Sequence, residues 1–254
     1  MSMFDLKGRV ALVTGGNGGI GLGMARGMAA AGADIVVAGR QAAKSEAAAG
    51  ELSKLGVRTA VVEVNVADPA SAEAMVAATV QRMGRLDILV NNAGINIRKR
   101  PEQYKMNEWR EVLSINLDGA FYCSHAAYPA MKAAGGGKII NIGSMMSIFG
   151  AAFAAPYASS KGGIVQMTRA LATAWATDNI QVNAVLPGWI DTELTVKARE
   201  QEEGLHENVL RRTPAGRWGE PSDFAGTAVF LASRASDFVT GTAIPVDGGF
   251  SIQG

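Results

Sequence analysis

A tyrosine, a lysine and a serine stand at spacings that could support proton transfer. Tyr157 and Lys161 are four residues apart in a predicted helix, which places the phenol and the ammonium on one helix face. A nearby ammonium favours the phenolate, so we expect the pKa of Tyr157 to fall below its usual value of about 10. Ser144 lies 13 residues earlier, after a predicted strand. The three side chains predict acid–base chemistry between a carbonyl and an alcohol.

The same Tyr-x-x-x-Lys spacing occurs a second time, at Tyr128 and Lys132. The residue 13 positions before Tyr128 is Ile115, which has no hydroxyl. We therefore expect Tyr157 and Lys161 to carry the chemistry, and Tyr128 to be an ordinary residue of an amphipathic helix.

A glycine-rich turn follows the first predicted strand. Of the 254 residues 31 are glycine, well above the average of about 7%, and five of them fall between residues 14 and 21. Two dinucleotide-type spacings fit: Gly16, Gly18 and Gly21, or Gly15, Gly19 and Gly21. Bare backbone N–H groups at a helix start bind phosphates closely because no Cβ stands in the way. The turn predicts a dinucleotide site.

The second predicted strand ends in Ala38-Gly39-Arg40. Many dinucleotide folds carry an acidic residue there, which binds the ribose 2′-hydroxyl. A guanidinium suits a 2′-phosphate, and the lack of a carboxylate removes a repulsion against it. Arg40 therefore favours NADP(H) over NAD(H). The alternative is that Arg40 is a solvated charge at a helix start.

Short apolar runs alternate with Ala-rich helical stretches and give seven predicted strands. The strands are almost continuously apolar, which is typical of a sheet covered on both faces. We predict an α/β fold with a single Rossmann-like domain over residues 1–254, a doubly wound seven-stranded parallel sheet with helices on both faces. One helix is expected over 106–134. A long substrate loop is expected at about 188–219, after a strand's carboxyl end, where ligands bind in open sheets.

Composition excludes several classes of protein. With 24 Lys and Arg against 23 Asp and Glu, the formal charge is +1, which gives no field for nucleic acid or a membrane surface. A hydrophobic content of 48% argues against disorder. The single cysteine, Cys123, and the lack of long apolar runs predict a cytoplasmic chain. No metal site is predicted.

In order and spacing, these motifs resemble the short-chain dehydrogenase/reductase family. They are Thr14 to Gly21, Asn91-Asn-Ala-Gly94, Asn116, Ser144, Tyr157, Lys161 and Pro187-Gly188, and they extend over essentially the whole chain. The resemblance implies that Tyr157 is the acid/base and that Ser144 hydrogen-bonds the substrate oxygen. It also implies that Lys161 binds the nicotinamide ribose and that Asn116 holds a water for proton relay.

The resemblance also makes Gly15, Gly19 and Gly21 the relevant glycine spacing. Asn65 would contact the adenine, although the family usually has Asp there. Together with Arg40, the expected cofactor-binding residues are Gly15, Asn17, Gly19, Ile20, Gly21, Asn65, Val66, Asn91, Ala93, Gly94, Tyr157, Lys161, Pro187, Gly188, Ile190 and Thr192.

The segments around residues 91–99, 144–147 and 212–223 are similar to family members that act on sugar acids such as gluconate or a deoxy-ketogluconate. Arg98, Lys99 and Arg100 form a basic cluster that could hold a substrate carboxylate. The alternative is a solvated loop patch. The substrate candidates are Asn96, Arg98, Met146, Trp189 and His206.

Two other functions remain open at this point. One is reduction of a 3-oxoacyl thioester, or oxidation of another alcohol, on the same catalytic frame. The other is a non-enzymatic nucleotide-sensing scaffold, against which the presence of the serine, tyrosine and lysine argues. The helical regions 106–134 and 155–177 carry more apolar surface than one sheet face can cover, and the resemblance implies a homotetramer built on them.

Overall fold

The computed structural model describes residues 2–253; Met1 and Gly254 lie outside the described residues. Seven parallel strands form one sheet in the order β3-β2-β1-β4-β5-β6-β7, which confirms the predicted doubly wound fold. The strands are β1 (Val10–Thr14), β2 (Asp34–Gly39), β3 (Thr59–Glu63), β4 (Ile88–Asn91), β5 (Gly137–Ile142), β6 (Ile180–Pro187) and β7 (Ala243–Val246).

Helices cover both faces of this sheet. Successive side chains of a strand point to opposite faces of the sheet. In β1 the neighbours Leu12 and Val13 are both fully buried, in different hydrophobic clusters, so both faces of the sheet are covered. The helices are α1 (Gly19–Ala30), α2 (Ala42–Ser53), α3 (Pro69–Met83), α4 (Met106–Leu113), α5 (Gly119–Ala133), α6 (Ala155–Trp175), α7 (Glu193–Gln201), α8 (Leu205–Arg212) and α9 (Ala225–Ala232). None of the helices within residues 2–253 combines the length and apolar character needed to cross a bilayer.

The strand order reverses between β1 and β4. Connections from these two strands leave the sheet in opposite directions, and the crevice between their carboxyl ends is where open α/β sheets bind ligands. The glycine turn follows β1 and the Asn91–Gly94 motif follows β4, so both motifs reach the same crevice.

The expected helix over 106–134 is present as one continuous helical run, but its centre is irregular. A π-helical turn, Ser114–Asp118, separates α4 from α5 and contains the buried Asn116. The extra residue of such a turn interrupts the regular hydrogen-bond ladder, and turns of this kind are frequent at functional sites. The long substrate loop expected at about 188–219 is not a simple loop, because the segment contains α7 and α8.

Helix α1 packs closely on the 3₁₀ turn Pro221–Phe224 and on α9, and we predict that Gly23 cannot carry a side chain. A Cβ at Gly23 would lie 2.0 Å from the carbonyl oxygen of Pro221. Gly23→Ala should therefore lower the free energy of unfolding by about 1–3 kcal/mol in denaturant titrations. In the matched control Gly50→Ala, on α2, the new Cβ meets nothing within 4 Å. That change should be neutral or stabilise by up to about 1 kcal/mol. Equal effects at both positions would contradict the packing argument.

Candidate active site

The glycine turn after β1 is braced by Asn92. The Asn92 amide donates to the carbonyl oxygens of Thr14 and Gly15, each at 3.0 Å. A Cβ at Gly21 would lie 2.4 Å from this amide nitrogen, and one at Gly15 would lie 2.9 Å from it. These two glycines are therefore required for the turn to close on β4. Sequence reasoning did not single out Asn92, although it lies within the recognised Asn91–Gly94 motif.

Beside this turn is a cleft of about 220 Å³. Of the expected cofactor-binding residues, Gly15, Asn17, Arg40, Asn65, Val66, Ala93 and Gly94 line it, together with Gly39, Gln41, Lys44, Val64, Ile95 and Ile115. Of the described residues that line this cleft, none is acidic, and two, Arg40 and Lys44, are cationic. The first turn of α1 contains no acidic residue, and Gly18 provides no side-chain cap for its N–H groups. An anionic dinucleotide fits these features.

The remaining expected cofactor residues lie around the cleft or in the core. Gly19 adjoins Thr192, whose methyl carbon would be 3.3 Å from a Cβ at Gly19. Pro187 is the last residue of β6, and Gly188 packs against the backbone of Asp247. Ile190 is buried at the start of the 188–219 segment, and the half-buried Ile20 packs on the core.

Asn91 is buried inside the sheet. Its amide donates to the side-chain oxygen of Asn141 at 2.8 Å, to the hydroxyl of Ser124 at 2.9 Å, and to the carbonyl of Ala120 at 3.2 Å. These bonds join β4 to β5 and α5. The amide nitrogen of Asn91 therefore makes its hydrogen bonds within the protein interior.

The four expected catalytic side chains lie together next to the cleft. Tyr157 and Lys161 occupy the first turns of α6, and the Tyr157 phenol hydrogen-bonds with Ser144. The Lys161 ammonium lies 5.6 Å from the centre of the Tyr157 ring. A Cβ at Gly94, which lines the cleft, would be 3.2 Å from the Asn116 carbonyl oxygen and 3.7 Å from the Lys161 nitrogen.

Hydrogen bonds fix the position of Ser144 relative to α6. The Ser144 hydroxyl accepts from the Met146 N–H at 3.1 Å, and the Ser144 N–H donates to the Ser147 hydroxyl at 3.2 Å. Ser147 in turn donates to the carbonyl of Lys161 at 2.7 Å. Ser147 is a positioning residue that sequence reasoning missed.

Asn116 connects the loop after β4 to α6. Its carbonyl oxygen accepts from the Ile95 N–H at 2.8 Å, and its amide donates to the Ile95 carbonyl at 2.9 Å and to the Ser160 hydroxyl at 3.2 Å. This side chain is buried within the π turn.

The expected lowering of the Tyr157 pKa is wrong. Burial raises the pKa of the phenol, and the hydrogen bond with Ser144 opposes this with a smaller effect. Burial also lowers the pKa of Lys161 to about 8. The ammonium donates to the Ile142 carbonyl at 2.7 Å and does not act as a hydrogen-bond partner of the phenol. Both charged forms are penalised because neither side chain is well hydrated.

The substrate candidates lie on two loops and on the 188–219 segment. The side-chain oxygen of Asn96 is buried without a hydrogen-bond partner. Met146 packs on a small cluster that includes Val165 and Phe250. Trp189 contacts Trp218 edge-on, with ring centres 5.7 Å apart. His206 is exposed and stacks on Trp218 at 6.1 Å.

The basic cluster after β4 is neutralised by ion pairs. Arg98 pairs with Glu202 at the end of α7, and its guanidinium also covers the Phe153 ring at 3.9 Å. The other two cations are paired as well, Lys99 with Glu108 at 2.5 Å and Arg100 with Glu102 at 2.8 Å.

Tyr128 is a half-buried residue of α5 that packs against the core. Its hydroxyl donates to Asp178 at 2.7 Å and accepts from Lys132 at 3.1 Å, and its ring stacks on Trp175. No group of three His, Cys, Asp or Glu side chains within the described part of the chain is arranged to hold a metal ion.

Residues 15–251 match the family model described as enoyl-(acyl carrier protein) reductase. The chain is 41% identical to 2-dehydro-3-deoxy-D-gluconate 5-dehydrogenase of Formosa agariphila, with 98% of this chain and 95% of the relative covered. The chain belongs to the short-chain dehydrogenase/reductase family.

Two further relatives extend this comparison. Galactitol 2-dehydrogenase (L-tagatose-forming) of Cereibacter sphaeroides is 44% identical to this short-chain dehydrogenase, with 99% of this chain and 98% of the relative covered. The crystal structure of a gluconate 5-dehydrogenase from Burkholderia cenocepacia J2315, in complex with NADP and tartrate, has a TM-score of 0.93 at 40% identity. That match covers 98% of this chain and 97% of the other.

We predict that Lys161 gives folding stability a specific pH dependence. Because its pKa falls to about 8 on folding, the folded protein resists protonation of Lys161 between pH 8 and its unfolded pKa of about 10.4. The contribution of Lys161 to stability is therefore complete above the unfolded pKa and is lost as pH falls through 8. The free energy of unfolding of the wild type, relative to Lys161→Met, should rise by up to roughly 3 kcal/mol across this window.

Denaturant titrations of both proteins at pH 7.5, 8.5 and 9.5 measure this difference. If the two stability curves run parallel with pH, Lys161 does not have the lowered pKa.

Proposed function

We propose that this short-chain dehydrogenase transfers a hydride between NADP(H) and a secondary alcohol or ketone of a sugar acid, such as gluconate or a deoxy-ketogluconate. The observation that carries the proposal is the cluster of Ser144, Tyr157 and Lys161 beside the glycine-lined cleft. Identity to sugar-acid dehydrogenases over almost the whole chain supports the substrate class. Arg40 at the cleft supports NADP(H).

Tyr157 is proposed as the general acid and base. A phenol with a raised pKa stays protonated at neutral pH, so it can donate its proton to a carbonyl oxygen during reduction. Ser144 is proposed to hydrogen-bond the same oxygen, and two such donors would stabilise the developing alkoxide. When bound, the nicotinamide supplies or accepts the hydride. Lys161 would hold the nicotinamide ribose, and Asn116 would order the water of a proton relay.

A cation in the substrate site could bind the carboxylate of a sugar acid by a charge-assisted hydrogen bond. We propose Arg98 for this role, with Asn96, Met146, Trp189 and His206 as further substrate contacts. Because Arg98 pairs with Glu202, a substrate carboxylate would have to share or displace that partner. Glu202, a residue that sequence reasoning missed, would then belong to the proposed substrate site as well.

We also propose a cytoplasmic homotetramer. The only cysteine, Cys123, is buried and unpaired, and a chain without a disulfide fits a reducing compartment. On α5 the Phe121 ring is 42% exposed and lies 6.0 Å from the exposed His125 ring. Exposed aromatic side chains on a long helix are typical of protein interfaces.

A substrate screen tests the proposed activity. The purified protein would be assayed with gluconate, 2-dehydro-3-deoxygluconate, galactitol, glucose and an acetoacetyl ester, each with both nicotinamide cofactors. We expect the highest kcat/KM for a sugar acid and a preference for NADP(H). The highest kcat/KM for the acetoacetyl ester would favour a 3-oxoacyl reductase, and a tenfold preference for NAD(H) would overturn the assignment of the cofactor.

Tyr157→Phe tests the catalytic assignment. Removing the hydroxyl should lower kcat by a factor of about 10²–10⁴, with cofactor binding unchanged in a fluorescence titration. Tyr128→Phe is the matched control, because Tyr128 also has a lysine four residues later but its hydroxyl contacts Asp178 and Lys132 instead of a serine. It should turn over at the wild-type rate. Wild-type turnover by Tyr157→Phe would remove the assignment of Tyr157.

A further inference from the structure

An ion pair connects the cofactor cleft to the 188–219 segment. Lys44, on α2, lies 2.6 Å from a carboxylate oxygen of Glu193, the first residue of α7. The two residues are 149 positions apart in the chain. The pair therefore ties the segment expected to cover the substrate to the wall of the cleft expected to hold the cofactor.

The Lys44 ammonium also reaches the glycine turn. A Cβ at Gly18 would lie only 3.3 Å from both the Cε and the nitrogen of Lys44, so the missing side chain at Gly18 makes room for the ammonium. Lys44 lines the same cleft as Arg40. Nearby, Asn17 donates to the Ser45 hydroxyl at 3.0 Å, which fixes the wall between the two cations.

We infer that Lys44 is a second cation for the 2′-phosphate of the dinucleotide, and that it exchanges Glu193 for this phosphate when NADP(H) binds. The inference rests on the proposed function. Neither the family motifs nor Arg40 implies a role for Lys44, and its position at Gly18 is a product of the tertiary structure.

The charges favour this exchange. The Glu193 side chain is 83% exposed, so its ion pair with Lys44 is strongly screened by water and contributes little. A 2′-phosphate carries close to two negative charges and three acceptor oxygens, and it would be held by two cations at once. Glu193 remains close enough to compete for Lys44, so its carboxylate weakens phosphate binding. A cofactor without the 2′-phosphate leaves the Lys44–Glu193 pair in place.

Binding of 2′,5′-ADP and 5′-AMP, measured by calorimetry, tests the inference without turnover. The two probes lack the nicotinamide and differ by the 2′-phosphate alone. Lys44→Gln should weaken 2′,5′-ADP binding by about tenfold or more, the effect of one lost hydrogen bond to a charged group. Its affinity for 5′-AMP should change by less than about twofold. Lys44→Arg should keep the selectivity for 2′,5′-ADP, since it keeps the charge.

Glu193→Gln tests the exchange itself. It should tighten 2′,5′-ADP binding by about twofold to fivefold, the strength of an exposed ion pair. It should have no effect in a Lys44→Gln background, because the cation for which Glu193 competes is then absent. The matched controls are Lys54→Gln, an exposed lysine at the end of α2 outside the cleft, and Glu200→Gln, an exposed glutamate on α7. Neither should change the ratio of the two affinities.

Three outcomes separate the possible failures. If Lys44→Gln weakens the binding of both probes equally, Lys44 does not bind the 2′-phosphate. An effect of Glu193→Gln that persists in the Lys44→Gln background would show that Glu193 does not act through Lys44. If the wild type binds neither probe, the proposed dinucleotide function fails, and this inference fails with it.

Discussion

The site depends on the close approach of Asn92 to the glycine turn. Its amide occupies the space that side chains at Gly15 and Gly21 would fill, and it hydrogen-bonds the backbone of the turn. Because Asn92 directly follows β4, this contact joins the carboxyl ends of β1 and β4 at the point where the strand order reverses. The cleft opens there for the same reason, since the connections from these strands diverge.

Burial controls the chemistry of the catalytic cluster. In water, an ammonium next to a phenol lowers the pKa of the phenol through charge attraction. Here Lys161 is buried and Tyr157 is partly buried, so loss of hydration disfavours both charged forms relative to water, and the pKa of Tyr157 rises while that of Lys161 falls. The Lys161 ammonium is compensated by the Ile142 carbonyl. A neutral phenol next to Ser144 is suited to donating a proton.

The 188–219 segment is attached to the rest of the protein by charge as well as by packing. Lys44 forms an exposed ion pair with the start of its first helix at the cofactor cleft, and Arg98 forms an ion pair at the end of that helix, next to the loop after β4. Both partners on the segment are glutamates, Glu193 and Glu202. Anionic groups on a cofactor or substrate would compete with these glutamates for Lys44 and Arg98. Binding of an anion at either cation would therefore affect the position of the segment.

Features that depend on local geometry could be predicted from the amino-acid sequence. Continuous apolar strands alternating with helices specify a covered parallel sheet, because strand and helix periods are properties of neighbouring residues. The glycine turn and the spacing of Tyr157 and Lys161 could be recognised for the same reason. Three features needed the folded protein to be seen: the π turn at Asn116, the direction of the Tyr157 pKa, and the pairing of Arg98 with Glu202, 104 residues away. Burial and ion pairing depend on which distant segments become neighbours in the fold. A local sequence pattern does not show which segments these are.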